Sequence, residues 1–115
     1  MTKKNRFYYF VLLETVQEAC LQIQKALSKE LTKDNGYKDD IEKDLITLEN
    51  LKSIVFAVKT DIESKHVGAS TELLLRIAAN EFKNKLDNIP EEKLLKKEII
   101  KNLKIVHKHI LFNEM

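Results

Sequence analysis

Two glycines and one proline are the only strong backbone breakers in 115 residues, and they stand far apart, at Gly36, Gly68 and Pro90. Glycine and proline are the residues that most sharply interrupt regular structure, so their placement divides the chain into four uninterrupted pieces, each long enough for a helix. Gly36 follows Asp34-Asn35 and suits the left-handed position just beyond a helix end. Asn88, with Glu91 three residues on, makes a capping arrangement around Pro90, a residue favoured in the first turn.

Each piece carries apolar residues at steps of three and four, the spacing that places them on one side of a helix. In the first these are Tyr9, Leu13, Val16, Cys20, Ile23, Leu27 and Leu31; in the second, Ile41, Leu45, Leu48, Leu51, Val55, Val58 and Ile62. The third offers Leu75, Ala79, Phe82, Leu86 and Ile89, and the fourth Leu95, Ile99, Leu103, Val106 and Ile110. No strand-like alternation, repeat or low-complexity tract intervenes. The expectation is a single all-α domain over 1–115, with helices at about 4–34, 38–66, 70–87 and 90–112, packed as an antiparallel up-down-up-down four-helix bundle.

Composition narrows the setting. Twenty basic residues against 18 acidic ones leave a net charge of +2, which argues for neither a nucleic-acid nor a membrane partner in bulk. With one cysteine the chain forms no internal disulfide, which fits a reducing compartment. Lys3, Lys4 and Arg6 before an apolar run imitate a secretion signal, but Glu14 ends that run early and no small-residue cleavage site follows. A spanning helix needs about 20 apolar residues. The expected location is the cytoplasm.

The run itself, Arg6-Phe7-Tyr8-Tyr9-Phe10-Val11-Leu12-Leu13, exceeds what one helix face can bury. At about 100° per residue, Phe7 and Val11 fall opposite the Tyr9 stripe. Antiparallel order would gather this run with Ser53–Val58, Leu73-Leu74-Leu75 and His109–Phe112 at one end of the bundle, bringing most of the aromatic residues together. Such an end is either a local core or a contact surface, for a second copy of the chain (a homodimer) or for a different protein. On the last helix, Lys93, Lys97, Lys101, Lys104 and Lys108 fall within about 80° of one another, as on a solvated face or one that meets an acidic partner, phosphates or anionic lipid. With only Arg6 and Arg76 as arginines, nucleic acid is not an expected partner.

Catalytic constellations are weak. His107 and His109 are two apart, which on a helix sends them to different faces, and Glu63-Ser64-Lys65-His66 is half of a di-iron bundle pattern whose second copy is missing. Cys20 lies on the core stripe without a basic neighbour to activate it, and two isolated glycines form no phosphate loop. No enzyme activity, metal or cofactor is expected.

The segment LLLRIAANEFKNKLDNIPEEKLLKKEIIKNLKIV, residues 73–106, resembles the C-terminal half of the immunity proteins that protect producers of class IIa, pediocin-like bacteriocins, the carnobacteriocin-type branch above all. The most similar part is Asn88-Ile89-Pro90-Glu91-Glu92-Lys93-Leu94-Leu95-Lys96-Lys97-Glu98-Ile99-Ile100-Lys101-Asn102-Leu103, while the first two helices match in length and pattern only. The resemblance implies a cytosolic four-helix bundle without catalysis that engages a membrane sugar transporter, the mannose-phosphotransferase receptor, once a bacteriocin has loaded it. It implies that peptide specificity resides mainly in the third helix, the Pro90 loop and the fourth helix. The apolar start RFYYFVLL departs from the family's usual one, and little chain follows the last helix.

Receptor docking needs a rigid frame, an apolar patch and positive charge compatible with the inner membrane face. The expected partner-binding residues are therefore Phe7, Tyr8, Phe10 and Phe112 as apolar contacts and Lys101, Lys104 and Lys108 as charged ones. The alternative is a small helical regulatory inhibitor or adaptor, of phage or plasmid type, that binds a host protein through the same aromatic end.

Overall fold

The computed structural model describes residues 3–33, 36, 38–83 and 85–113, with the side chains of Lys3 and of residues 111–113 left aside. Four helices follow one another: α1 (Lys3–Leu31), α2 (Lys38–Ser64), α3 (Ala69–Lys83) and α4 (Pro90–Asn113). No strand occurs among the described residues, so the all-α class stands. The molecule is a rod of 50 × 20 × 20 Å, its length set by α1, which at 1.5 Å per residue spans about 43 Å.

Helix direction can be read from individual bonds. Lys52 on α2 donates to Gln24 on α1, whereas Lys59 donates to Gln17, so α1 descends as α2 rises. Thr71 at the start of α3 donates to Asp61, and Asn88 beyond its end donates to Asp44, which makes α2 and α3 antiparallel as well. Glu72 meets His107, and Lys96 reaches the end of α3, giving the same relation between α3 and α4. Tyr9 against His109 closes α4 on α1. Among the described residues each helix packs on two neighbours and none crosses the diagonal, which is the up-down-up-down bundle.

One core fills the rod. Leu13, Ile23, Leu27, Leu48, Val55, Leu75, Ile99, Leu103 and Val106 are all fully buried within it. The expected stripes are met on α1, α2 and α4, with Leu31, Leu45 and Leu95 only half-buried at their edges. On α3 the phase differs by one residue: Ala78, not Ala79, is buried. Three steps separate Leu75 from Ala78 and four separate Ala78 from Phe82, so the seam takes the smaller step first.

Helix ends bring two further corrections. The third helix stops at Lys83 rather than near residue 87, because the chain turns into the left-handed region at Leu86, with φ 68°. A non-glycine residue there costs on the order of 1–2 kcal/mol. Full burial of the Leu86 side chain returns about 1.5–3 kcal/mol, and Lys96 holds the turn by donating to the Lys83 and Lys85 carbonyls and the Asp87 carboxylate. The second helix ends in a Schellman motif, His66 N–H donating to Asp61 and Lys65 N–H to Ile62, with Lys65 at φ 62° in the place glycine usually takes. Among the described residues the left-handed positions are thus Lys65 and Leu86, while the turn expected around Gly36 involves residues 35 and 37, which lie outside the described residues.

Candidate functional site

The first turns of α1 set the geometry of the aromatic pole. Tyr9 points into the core, its ring 4.7 Å from that of His109 and 5.5 Å from that of Tyr8. Because Tyr9 fixes the inward direction, its neighbours splay outward. Phe7 is 71 % exposed and Tyr8 50 % exposed. Phe10 is half-buried, and Lys59 of α2 places its ammonium 4.4 Å from the ring centre. That ammonium also lies 3.7 Å from Glu14 and donates to Gln17, so one α2 side chain pins nearly two turns of α1. A cation so placed over a ring contributes about 0.5–1 kcal/mol near the surface.

Arg6, Phe7 and Phe10 of α1 and Ile62 and Glu63 of α2 enclose a cleft of about 350 Å³. Arg6 Nε is buried without a hydrogen-bond partner among the described residues. The cleft thus joins two aromatic rings and an isoleucine with one basic and one acidic side chain, a pattern suited to gripping a side chain from outside.

Lys101, Lys104 and Lys108 are exposed on α4, as the sequence predicts. The side chain of Phe112 lies outside the described residues. Of the predicted contacts, then, Phe7, Tyr8 and Phe10 share the pole with Lys108, while Lys101 lies about 10 Å further down the rod by helical rise. Phe56 does not join them. It is 66 % exposed, but the Lys59–Gln17 and Lys52–Gln24 bonds set it level with the middle of α1, about 15 Å from Phe10 by helical rise. The apolar surface accordingly runs down the α1–α2 side as well as capping the end.

The histidines diverge as expected: His107 Nε2 lies 2.8 Å from Glu72 of α3, while His109 faces Tyr9 of α1. The hydrogen bond to His107 holds the Glu72 carboxyl below its usual range. Among the described residues no group of three histidine, cysteine, aspartate or glutamate side chains converges as a metal ion would require. Cys20 is completely buried, and burial pushes its thiol up to about 12. A thiol reagent at pH 8 is expected to leave Cys20 unlabelled in the folded protein and to label it stoichiometrically in denaturant; labelling of the native protein at the rate of a free thiol would refute the burial.

The opposite pole holds a feature that sequence reading missed. Glu92, wholly buried at the third position of α4, accepts hydrogen bonds of 3.0 Å from both the Asn88 and the Ile89 backbone N–H groups. Asn88 Nδ2 donates in turn to buried Asp44 of α2, at 2.6 Å. The expected partner of the turn was Glu91; Glu91 is exposed, and Glu92 closes the cap instead. Burial, and then the Asp44 carboxyl group beside it, raise the Glu92 carboxyl to about 8. Near neutrality Glu92 thus carries a proton, and its second oxygen, unpartnered when ionised, becomes a donor beside Asp44.

No helix among the described residues is long and apolar enough to cross a membrane. Comparisons with protein-family models, with curated proteins and with solved structures find no match to this chain.

Proposed function

We propose that this protein is a non-enzymatic immunity protein, which acts from the cytosol by binding a peptide-loaded membrane receptor and so protects the cell from a pediocin-like bacteriocin. The observation that carries the proposal is the pair Phe7 and Tyr8, exposed on the rigid start of a 29-residue helix at the pole that also presents Lys108. Aromatic side chains held by a helix give large contact area for little lost entropy. Burial of each would contribute on the order of 1.5–3 kcal/mol to a complex. The resemblance of residues 73–106 to the specificity half of pediocin-like immunity proteins supplies the biological role, and Lys101, Lys104 and Lys108 supply charge suited to a receptor at the inner membrane face.

Expression of the protein in a sensitive strain, followed by challenge with a panel of pediocin-like peptides, is expected to protect against at least one of them and not against an unrelated pore former. Unchanged killing by every peptide would remove the proposal. Phe56 favours a second reading, a regulatory adaptor for a host protein, because an exposed aromatic away from the pole extends the apolar surface along α1 and α2. That reading expects a soluble partner and no protection.

A further inference from the structure

Four lysines elsewhere in the bundle are neutralised locally: Lys33, Lys52, Lys59 and Lys96 each lie within 4.0 Å of a carboxylate. The five on the outer face of α4 are not. Lys93, Lys97, Lys101, Lys104 and Lys108 are exposed and make no ion pair among the described residues. They extend over about 22 Å of helix, and the nearest carboxylate in helical phase, Glu98, stands about 60° beyond the edge of their arc. Unpaired like charges along one face repel one another, a cost that goes unrecovered in a free monomer.

The margins of this face are apolar. Lys97, Lys101 and Lys104 line a shallow groove of about 450 Å³ together with Ile100 and Ile105. Ile105 precedes His109 by one turn, and His109 faces Tyr9, so Ile105 lies on the α1 side. Tyr8 is on the same side, because it lies about 100° from Tyr9 in the direction opposite to Phe10, whose ring sits under Lys59 of α2. The α1–α4 face thus combines a lysine field with a tyrosine and an isoleucine at its edge.

We propose that this face docks on an anionic lipid bilayer, with Lys97, Lys101, Lys104 and Lys108 over the headgroups and Tyr8 and Ile105 at the acyl boundary. Charge complementarity selects the occupant. Lysine is a flexible point charge that serves a diffuse anionic plane, whereas discrete phosphates or carboxylates are gripped better by arginine's planar fork, and the face has no arginine. Tyrosine is at home at the headgroup level, where ring and hydroxyl meet different surroundings. Long lysine stems also cover the aliphatic groove while their ammonium groups remain in water. The inference shares Tyr8 and three lysines with the immunity reading and adds lipid as a partner in its own right; vesicles contain no receptor, so its failure and the failure of that reading are told apart.

The test is flotation of the full chain with vesicles of phosphatidylcholine alone and of phosphatidylcholine mixed with phosphatidylglycerol, at about 0.1 M salt and again near 1 M. Binding is expected on the mixed vesicles only, and is expected to be lost at the higher salt. Each lysine near an anionic surface contributes about a fivefold factor in partition, so Lys97→Gln with Lys101→Gln and Lys104→Gln is expected to weaken binding on the order of 100-fold. Lys38→Gln with Lys43→Gln and Lys85→Gln removes the same charge from exposed positions away from this face and is expected to leave binding within a few-fold. Circular dichroism checks that both triples remain helical. Equal binding to neutral and mixed vesicles, or equal losses from the two triples, would overturn the proposal. Retention of soluble polyglutamate by the immobilised protein without vesicle binding would overturn it in favour of an acidic protein partner.

Discussion

Glu92→Gln is expected to flatten the pH dependence of stability between about pH 5 and pH 8 and to stabilise the protein at the upper end of that range. Glu92 has its carboxyl raised from 4.5 to about 8 in the fold. Between those values the folded state holds a proton that the unfolded chain has released. Stability is therefore fully present at low pH, falls as pH rises through this window, and levels off above it. The slope integrates to a few kcal/mol at most, since each pH unit of full difference is worth about 1.4 kcal/mol. Glutamine keeps an oxygen for the Ile89 and Asn88 N–H groups and offers Asp44 an N–H donor without a titrating proton. Glu92→Ala separates the two roles. It removes the titration but orphans two backbone donors at a helix start, so it is expected to cost about 2–3 kcal/mol at pH 5. Urea melts of the three proteins from pH 4 to 9 decide the matter; a wild-type midpoint that rises with pH across the window would contradict the shift.

Glu92 also shows where the sequence was legible and where it was not. Counting back one heptad from Ile99 along the α4 stripe lands on Glu92, and Asp44 sits between Ile41 and Leu48 on the α2 stripe. A carboxyl group on each of two facing seams was thus visible in the spacing. Apolar periodicity skips polar residues, and the capping pattern that starts from Asn88 points to Glu91 instead. The structural cap residue is Ile89, whose backbone N–H meets Glu92. The same local counting placed the third helix four residues too long: nothing in Asn84–Asp87 forbids a helix, and only the burial of Leu86 with the reach of Lys96 from α4 makes the turn preferable. Architecture, by contrast, follows from features that need no tertiary partner. Four seams with three-and-four spacing, separated by three breakers, admit few packings other than an antiparallel bundle.

At the candidate site the division is similar. The outward position of Phe7 follows from a helical wheel fixed by Tyr9, and the structure leaves it exposed. Phe10 does not follow, because its partial cover comes from Lys59, a residue 49 positions away whose ammonium is held by Glu14 and Gln17. Chain order alone groups Phe56 with the pole. Antiparallel order fixes which ends meet, but register decides which turn meets which, and register is carried here by side-chain pairs such as Lys52 with Gln24.

Phe82→Ala and the double change Phe7→Ser with Tyr8→Ser are expected to fail in opposite ways, which separates the frame from the surface. Phe82 is buried within the core, and truncating such a ring costs about 3–5 kcal/mol through lost transfer energy and the cavity left behind. Against a total stability of about 5–15 kcal/mol for a domain of this kind, the melting temperature should fall by 10 °C or more, roughly, and expression should suffer with it. Phe7 and Tyr8 are exposed, so serine at both is expected to change stability by no more than about 1 kcal/mol. Under the proposed function the double variant should nonetheless lose protection against the cognate peptide, at wild-type expression and melting temperature, because it removes the contact area and leaves the bundle intact. Protection retained by a stable Phe7→Ser, Tyr8→Ser protein would move the contact surface away from this pole. A large drop in its melting temperature would show that the two rings belong to the core.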